Sequence, residues 1–155
     1  VARFEAIDPD SFPLRFRLQV KTELEALVPV LQWFETHTLD LLPESVIWQC
    51  KVALAEGFTN TVRYAHLNLP TTTPIDLELS LHPECLEMRI WDRGQPFDLH
   101  EKLSSLQQSP IDPLDRESDR GLLFMRAFTD RLQYIRLPDR RNCLVLSKNL
   151  KIEGN

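Results

Sequence analysis

The sequence predicts an α+β fold, a two-layer sandwich in which a mixed, mostly antiparallel sheet is covered on one face by helices. Three observations lead there. Five segments read as strands, and four of them fall into two hairpins with short turns. Two long segments repeat apolar residues at three- and four-residue steps, the period of an amphipathic helix. Strands and helices are grouped instead of strictly alternating, which argues against a doubly wound parallel sheet.

In chain order, Leu14, Phe16, Leu18 and Val20 alternate with Arg15, Arg17 and Gln19 to form a first strand over Leu14–Val20. Thr22 is a plausible N-cap for a helix carrying Leu24, Leu27, Val28, Leu31 and Phe34, which accommodates Pro29 and ends near His37. A second helix starts around Pro43-Glu44-Ser45 and runs to about His66, with Ile47, Cys50, Leu54, Phe58, Thr61 and Ala65 as one stripe. Ile75, Leu77, Leu79 and Leu81 alternate with polar residues, His82-Pro83-Glu84 turns the chain, and Cys85–Asp92 returns. The polar stretch from Asp98 to Asp119 is too long for a routine connection and reads as a mobile lid with one short helix. A third helix runs from near Gly121 to about Asp130, and Leu132–Leu137 and Cys143–Lys148 close the chain as a hairpin around Pro138-Asp139-Arg140-Arg141.

The 155 residues fit one domain spanning 1–155, whose apolar content supports a core without metal or disulfide staples. A formal charge of −5 with no long run of one sign disfavours a nucleic-acid surface. Cys50, Cys85 and Cys143 lie far apart with no C-x-x-C spacing, the pattern of buried free thiols in a reducing compartment. No segment approaches the ~18 apolar residues of a membrane helix and no signal-peptide pattern opens the chain, so the expectation is a cytoplasmic protein with no membrane partner.

Three places hold the chemistry. Glu56, Asn60 and Arg63 share one face of the second helix, opposite its apolar stripe. That face is either a solvated flank, or an amide oxygen for Mg²⁺ set one turn from a carboxylate that takes a proton. Asp92 has the strand parity of Leu86, Met88 and Ile90, so it points to the covered side of the sheet. It either edges a pocket or caps the turn Arg93-Gly94-Gln95-Pro96-Phe97. Arg120-Gly121 precedes an apolar run, where a glycine opening a helix lets backbone amides approach an anion. Gly57, Gly94 and Gly121, three of the chain's four glycines, fall in these three places.

These three segments resemble the boxes of a known family, the GHKL (Bergerat-fold) ATPases, and within it the anti-sigma-factor serine kinases of the RsbW and SpoIIAB type. Ala53–His66 resembles the N box, Asp92–Asp98 the first glycine box, and Asp119–Met125 the second. The resemblance implies an ATP pocket between helices and sheet. In it Asp92 binds the adenine amino group, Gly94 lets the base approach, Asn60 ligates Mg²⁺ and Glu56 is the general base. Arg63, Phe97, Arg120, Gly121 and Leu122 complete the implied nucleotide site, with Arg116 a further candidate for phosphate contact. The chain departs from the family at Asp119, where a glycine is usual; this carboxylate either opposes the triphosphate or turns outward as the N-cap of the third helix.

The implied function is an anti-sigma regulatory factor that sequesters a sigma factor and phosphorylates an anti-anti-sigma (STAS-type) partner, with ATP and Mg²⁺ as cofactors. The alternative is a non-catalytic nucleotide-binding or protein-interaction module of the same fold. A detached sensor histidine kinase domain is disfavoured, because His37 lacks the acidic neighbour of such a phosphoacceptor. Members of the family commonly form homodimers, for which the exposed Arg15 and Arg17 are candidates.

Overall fold

The computed structural model describes residues 11–108 and 117–150. Its strands are β1 (Leu14–Lys21), β2 (Pro74–Leu81), β3 (Cys85–Asp92), β4 (Arg131–Arg136) and β5 (Asn142–Asn149). They form one sheet in the order β1-β2-β3-β5-β4, and each neighbouring pair is antiparallel. The helices are α1 (Leu27–Thr38), α2 (Glu44–Asn60), α3 (Leu99–Gln108) and α4 (Glu117–Phe128). The opening segment and Arg116 lie outside the described residues, as does the middle of the expected lid.

Register explains the core. Phe16, Leu79, Met88, Leu146 and Leu132 stand side by side across the sheet, and Leu18, Leu77, Ile90, Leu144 and Tyr134 form the next row. Because side chains alternate, both rows face the helices. In α2, Ile47, Cys50, Leu54 and Phe58 are buried against them. The next row along brings Asp92 beside Asn142, so a polar pair occupies a position that elsewhere belongs to the core.

The opposite face carries charge. Arg17 donates to Glu78 and Gln19 to Asp76, both at 2.8 Å, while Arg141 lies over the Trp91 ring. Exposed pairs of this kind contribute ~0–1 kcal/mol each. This face keeps the sheet wettable more than it holds it together.

Two local expectations are corrected. Thr22 is not a helix cap; it is buried and hydrogen-bonded to His66 and Thr73, and a 3-10 turn over Leu24–Ala26 leads into α1. Pro29 is accommodated as expected, in the first turn of α1, where its missing N–H breaks no bond of the helix. The last helix is already formed at Glu117, four residues before Gly121. Its first turn, Glu117-Ser118-Asp119, has no apolar residue, so the periodic pattern begins only one turn later. The long helix continues past Asn60 to the neighbourhood of His66, as expected, but through a wider π-turn over Thr61–Ala65 that forms its irregular end.

Candidate functional site

The cavity of interest lies where the end of α2, the turn after β3, and helices α3 and α4 converge. It has a volume of about 620 Å³, and Asn60, Asp92, Gly94, Phe97, Lys102 and Leu122 are among the residues that line it. A smaller groove of about 420 Å³ on the open face of the sheet is lined by Arg17, Glu78, Trp91 and Arg141, whose charges are already paired or stacked.

Asp92 is only 2% exposed. It is held by three donors: the Gly94 N–H and the Asn142 amide to Oδ1, each at 2.9 Å, and the Tyr134 hydroxyl to Oδ2 at 2.7 Å. A buried carboxylate is stable only when its lone pairs are met in this way. Both sequence alternatives for Asp92 are therefore realised together, since it caps its own turn and also lines the cavity. A carboxylate has about four acceptor positions, so three donors leave capacity toward the cavity. Burial, the Asp92 charge and the hydrogen bond to it push the Tyr134 hydroxyl well above the ordinary tyrosine value, so it stays a donor. The Phe97 ring lies 4.8 Å from that of Tyr134 and gives the cavity an apolar, aromatic edge.

Gly94 is required by contact with the chain itself. A Cβ placed there would overlap the Ala65 carbonyl, so the turn lies directly on the end of α2. The same carbonyl-rich corner is closed from β5, where Asn142 donates to the Gly94 carbonyl at 2.9 Å.

The Glu56/Asn60 face of α2 is not a solvated flank, because α4 packs over it. A Cβ on Gly121 would stand 2.6 Å from Glu56 Oε2 and 3.4 Å from Asn60 Nδ2. Gly121 lies inside α4, not at its opening. Its lack of a side chain brings a helix backbone against Glu56 instead of exposing amides at a helix terminus. Asn60 lines the cavity, and Glu56 stands half-buried beside it. Arg63 is half-buried and Arg120 is exposed, and neither lines the cavity.

Asp119 does not turn outward. It is 4% exposed, lies in the third position of α4, lines the cavity, and pairs with Lys102 of α3 at 3.4 Å. The cavity thus carries its own charge pair. Sequence reading missed Lys102, which sits in the stretch taken for a lid, and also Tyr134, Asn142 and His66. Two signals were available: Tyr134 and Asn142 share strand parity with the core residues Leu132 and Leu144, so both were polar groups aimed inward.

His37, finally, stacks on Phe16 with ring centroids 3.8 Å apart and serves packing.

An antiparallel sheet layered under helices, with a buried carboxylate and a glycine turn at the mouth of a cavity walled by the long helix, defines an α+β sandwich with a candidate ligand site. Residues 20–148 match the histidine kinase-like ATPase domain, and the chain belongs to that family. It is 32% identical over 83 residues to the serine-protein kinase RsbW of Oceanobacillus iheyensis, covering 52% of each chain. To the serine-protein kinase RsbW of Bacillus licheniformis it is 32% identical over 73 residues, 46% of this chain and 45% of that one. The chain spans about half the length of the curated relatives it matches. No helix among the described residues is long and apolar enough to cross a membrane.

Proposed function

We propose that the protein is an anti-sigma regulatory factor with ATP-dependent serine/threonine kinase activity, which phosphorylates an anti-anti-sigma partner of the STAS type and sequesters a sigma factor. The observation that carries this reading is that Glu56 and Asn60 both stand under the Gly121 backbone, at the side of a cavity that also holds the buried Asp92. The resemblance of the two matched regions to serine-protein kinases supports it at the level of reaction type.

In this reading the spare acceptor capacity of Asp92 receives the adenine amino group, while Phe97 and Leu122 bury the faces of the base. Asn60 offers an amide oxygen, the class of ligand Mg²⁺ takes when most of its shell is water and phosphate. Among the described residues no group of three or more His, Cys, Asp or Glu forms a protein-only metal cage. When bound, Mg²⁺ would offset charge on the phosphates. Glu56 accepts the proton of a partner's Ser or Thr hydroxyl as that oxygen bonds to the γ-phosphorus and ADP departs. Such transfer depends mainly on positioning and electrostatics, so few residues suffice. Arg63 and Arg120 are further candidates for phosphate contact, and a homodimer involving Arg15 and Arg17 is part of the same proposal, tested by light scattering.

A second reading, a binding module without transfer, is favoured by one observation: the buried Asp119 carboxylate in the cavity wall opposes a triphosphate. Isothermal titration with ATP and ADP, with and without Mg²⁺, separates the two. Mg²⁺-dependent binding supports the kinase, followed by phosphate transfer to a STAS partner that Glu56→Ala abolishes. Absence of binding at millimolar nucleotide removes both the kinase and its site.

A further inference from the structure

Segments distant in sequence meet at His66, a ring 1% exposed just past the π-turn that ends α2. Its Nδ1 stands 2.9 Å from Thr22 Oγ1, and that hydroxyl donates to the Thr73 carbonyl at 2.7 Å. A threonine hydroxyl has one proton, already given to Thr73, so it accepts from His66 and Nδ1 carries a proton. On the far side of the ring the Arg93 N–H donates to Nε2 at 2.8 Å, which requires a bare nitrogen. Both contacts specify the same species, neutral imidazole protonated on Nδ1.

The Arg93 amide belongs to the turn that orients Asp92. Gly94 N–H donates to Asp92 Oδ1, and Gly94 itself lies on the Ala65 carbonyl, the residue before His66. We infer that His66 is a positioning residue of the nucleotide site: neutral, it clamps the Arg93–Gly94 turn and with it Asp92 to the end of the helix that carries Asn60, and protonation of Nε2 releases the clamp and weakens binding of the base. The inference rests on the nucleotide reading above.

Protonating Nε2 would set an N–H against the Arg93 N–H and break the hydrogen bond between them. Burial holds the ring's pKa below the ordinary value of 6.5, and Arg93 acts in the same direction, while Asp92 works against them. From the β1–α1 connection the group in contact is the Thr22 hydroxyl, itself bonded to the Thr73 carbonyl just before β2, and both are uncharged; Lys21 and Glu23, beside Thr22, are exposed. The neutral ring is thus the resting form at neutral pH, and release belongs to acid below the ordinary histidine range.

The test uses adenosine, which carries the base without a titrating phosphate, on the whole chain from about pH 7.5 to about pH 5, with circular dichroism confirming that it stays folded. Wild-type Kd should rise on acidification toward the one-proton limit of about tenfold per pH unit. His66→Phe, which has no acceptor, should bind weakly throughout. His66→Gln, which offers an amide oxygen at similar reach and cannot titrate, should restore binding relative to His66→Phe without the pH slope. In the ligand-free protein the Arg93 and Gly94 amide resonances should follow the ring titration in wild type and stay constant in His66→Gln. Equal pH slopes in wild type and His66→Gln, or amides that ignore the ring, overturn the inference while leaving nucleotide binding intact. Absence of adenosine and ADP binding at every pH overturns the nucleotide reading, and the inference falls with it.

Discussion

Asp92 sits where the sheet would otherwise carry a leucine or isoleucine, and it can do so because Tyr134, Asn142 and the Gly94 amide all donate to it. Asp92→Ala would strand those three donors in a dry corner, each at roughly 1–3 kcal/mol. A loss of about 3 kcal/mol or more in urea unfolding, together with loss of ATP binding, is the expected outcome. Gly94→Ala tests a different term. Its Cβ meets backbone at Ala65, not the end of a flexible side chain, so the neighbour cannot rotate away. A destabilisation of roughly 1–3 kcal/mol is expected from such overpacking, and adenosine affinity should fall with it as the turn shifts. A variant as stable as wild type would show that the turn is looser than its contacts imply.

At the scale of elements, α3 and α4 set the charge of the cavity. Asp119 and Lys102 face one another across the two helices, and the pair is neutral as long as it is intact. Asp119→Asn removes the negative member and leaves Lys102 available to a phosphate. At an effective dielectric near 20, charges a few ångströms apart interact by a few kcal/mol before salt screening. An increase in ATP affinity of about tenfold is therefore expected in Asp119→Asn, with little change for adenosine. Lys102→Ala should act in the opposite sense on ATP alone. Titration of both variants with both ligands checks this, and a change in adenosine affinity as large as that in ATP affinity would refute the charge argument. The long helix α2 joins the two ends of the site, carrying Glu56 and Asn60 on one side and, through its π-turn, reaching the Asp92 turn at Ala65 and His66.

The whole molecule couples stability to pH through the same buried histidine. Its folded pKa lies below the ordinary 6.5, so in acid the unfolded chain binds the extra proton first. That contribution to stability is present in full above about pH 6.5 and is lost as the pH falls toward the folded value. Thermal melts should show the midpoint dropping over that interval in wild type, with a shallower drop in His66→Gln. The cysteines give a second molecular readout. Burial raises the Cys50 thiol to about 12 and Cys143 to about 11, while Cys85, partly exposed, is raised as well. In native protein near pH 8 an aromatic disulfide reagent should label Cys85 slowly and leave the other two until unfolding. Labelling of Cys50 at the rate of Cys85 would contradict the packing of α2 on the sheet.

Much of this architecture is written locally. Strand alternation in Leu14–Val20, Ile75–Leu81 and Cys85–Asp92, and the stripe through Ile47, Cys50, Leu54 and Phe58, depend on periods of two and 3.6 that hold whatever the partner. Those patterns determined the antiparallel sheet, the covered face and the inward aim of Asp92. The first turn of α4 escaped because Glu117, Ser118 and Asp119 bring nothing apolar to the pattern. What only the tertiary structure decided are pairings between segments far apart in the chain: α4 lying on Glu56 through Gly121, Lys102 answering Asp119, Asn142 and Tyr134 answering Asp92, and His66 joining Thr22 to Arg93. A hydrogen bond or ion pair requires a donor within about 3 Å of its acceptor. That proximity is set by how the layers pack, which no local period encodes.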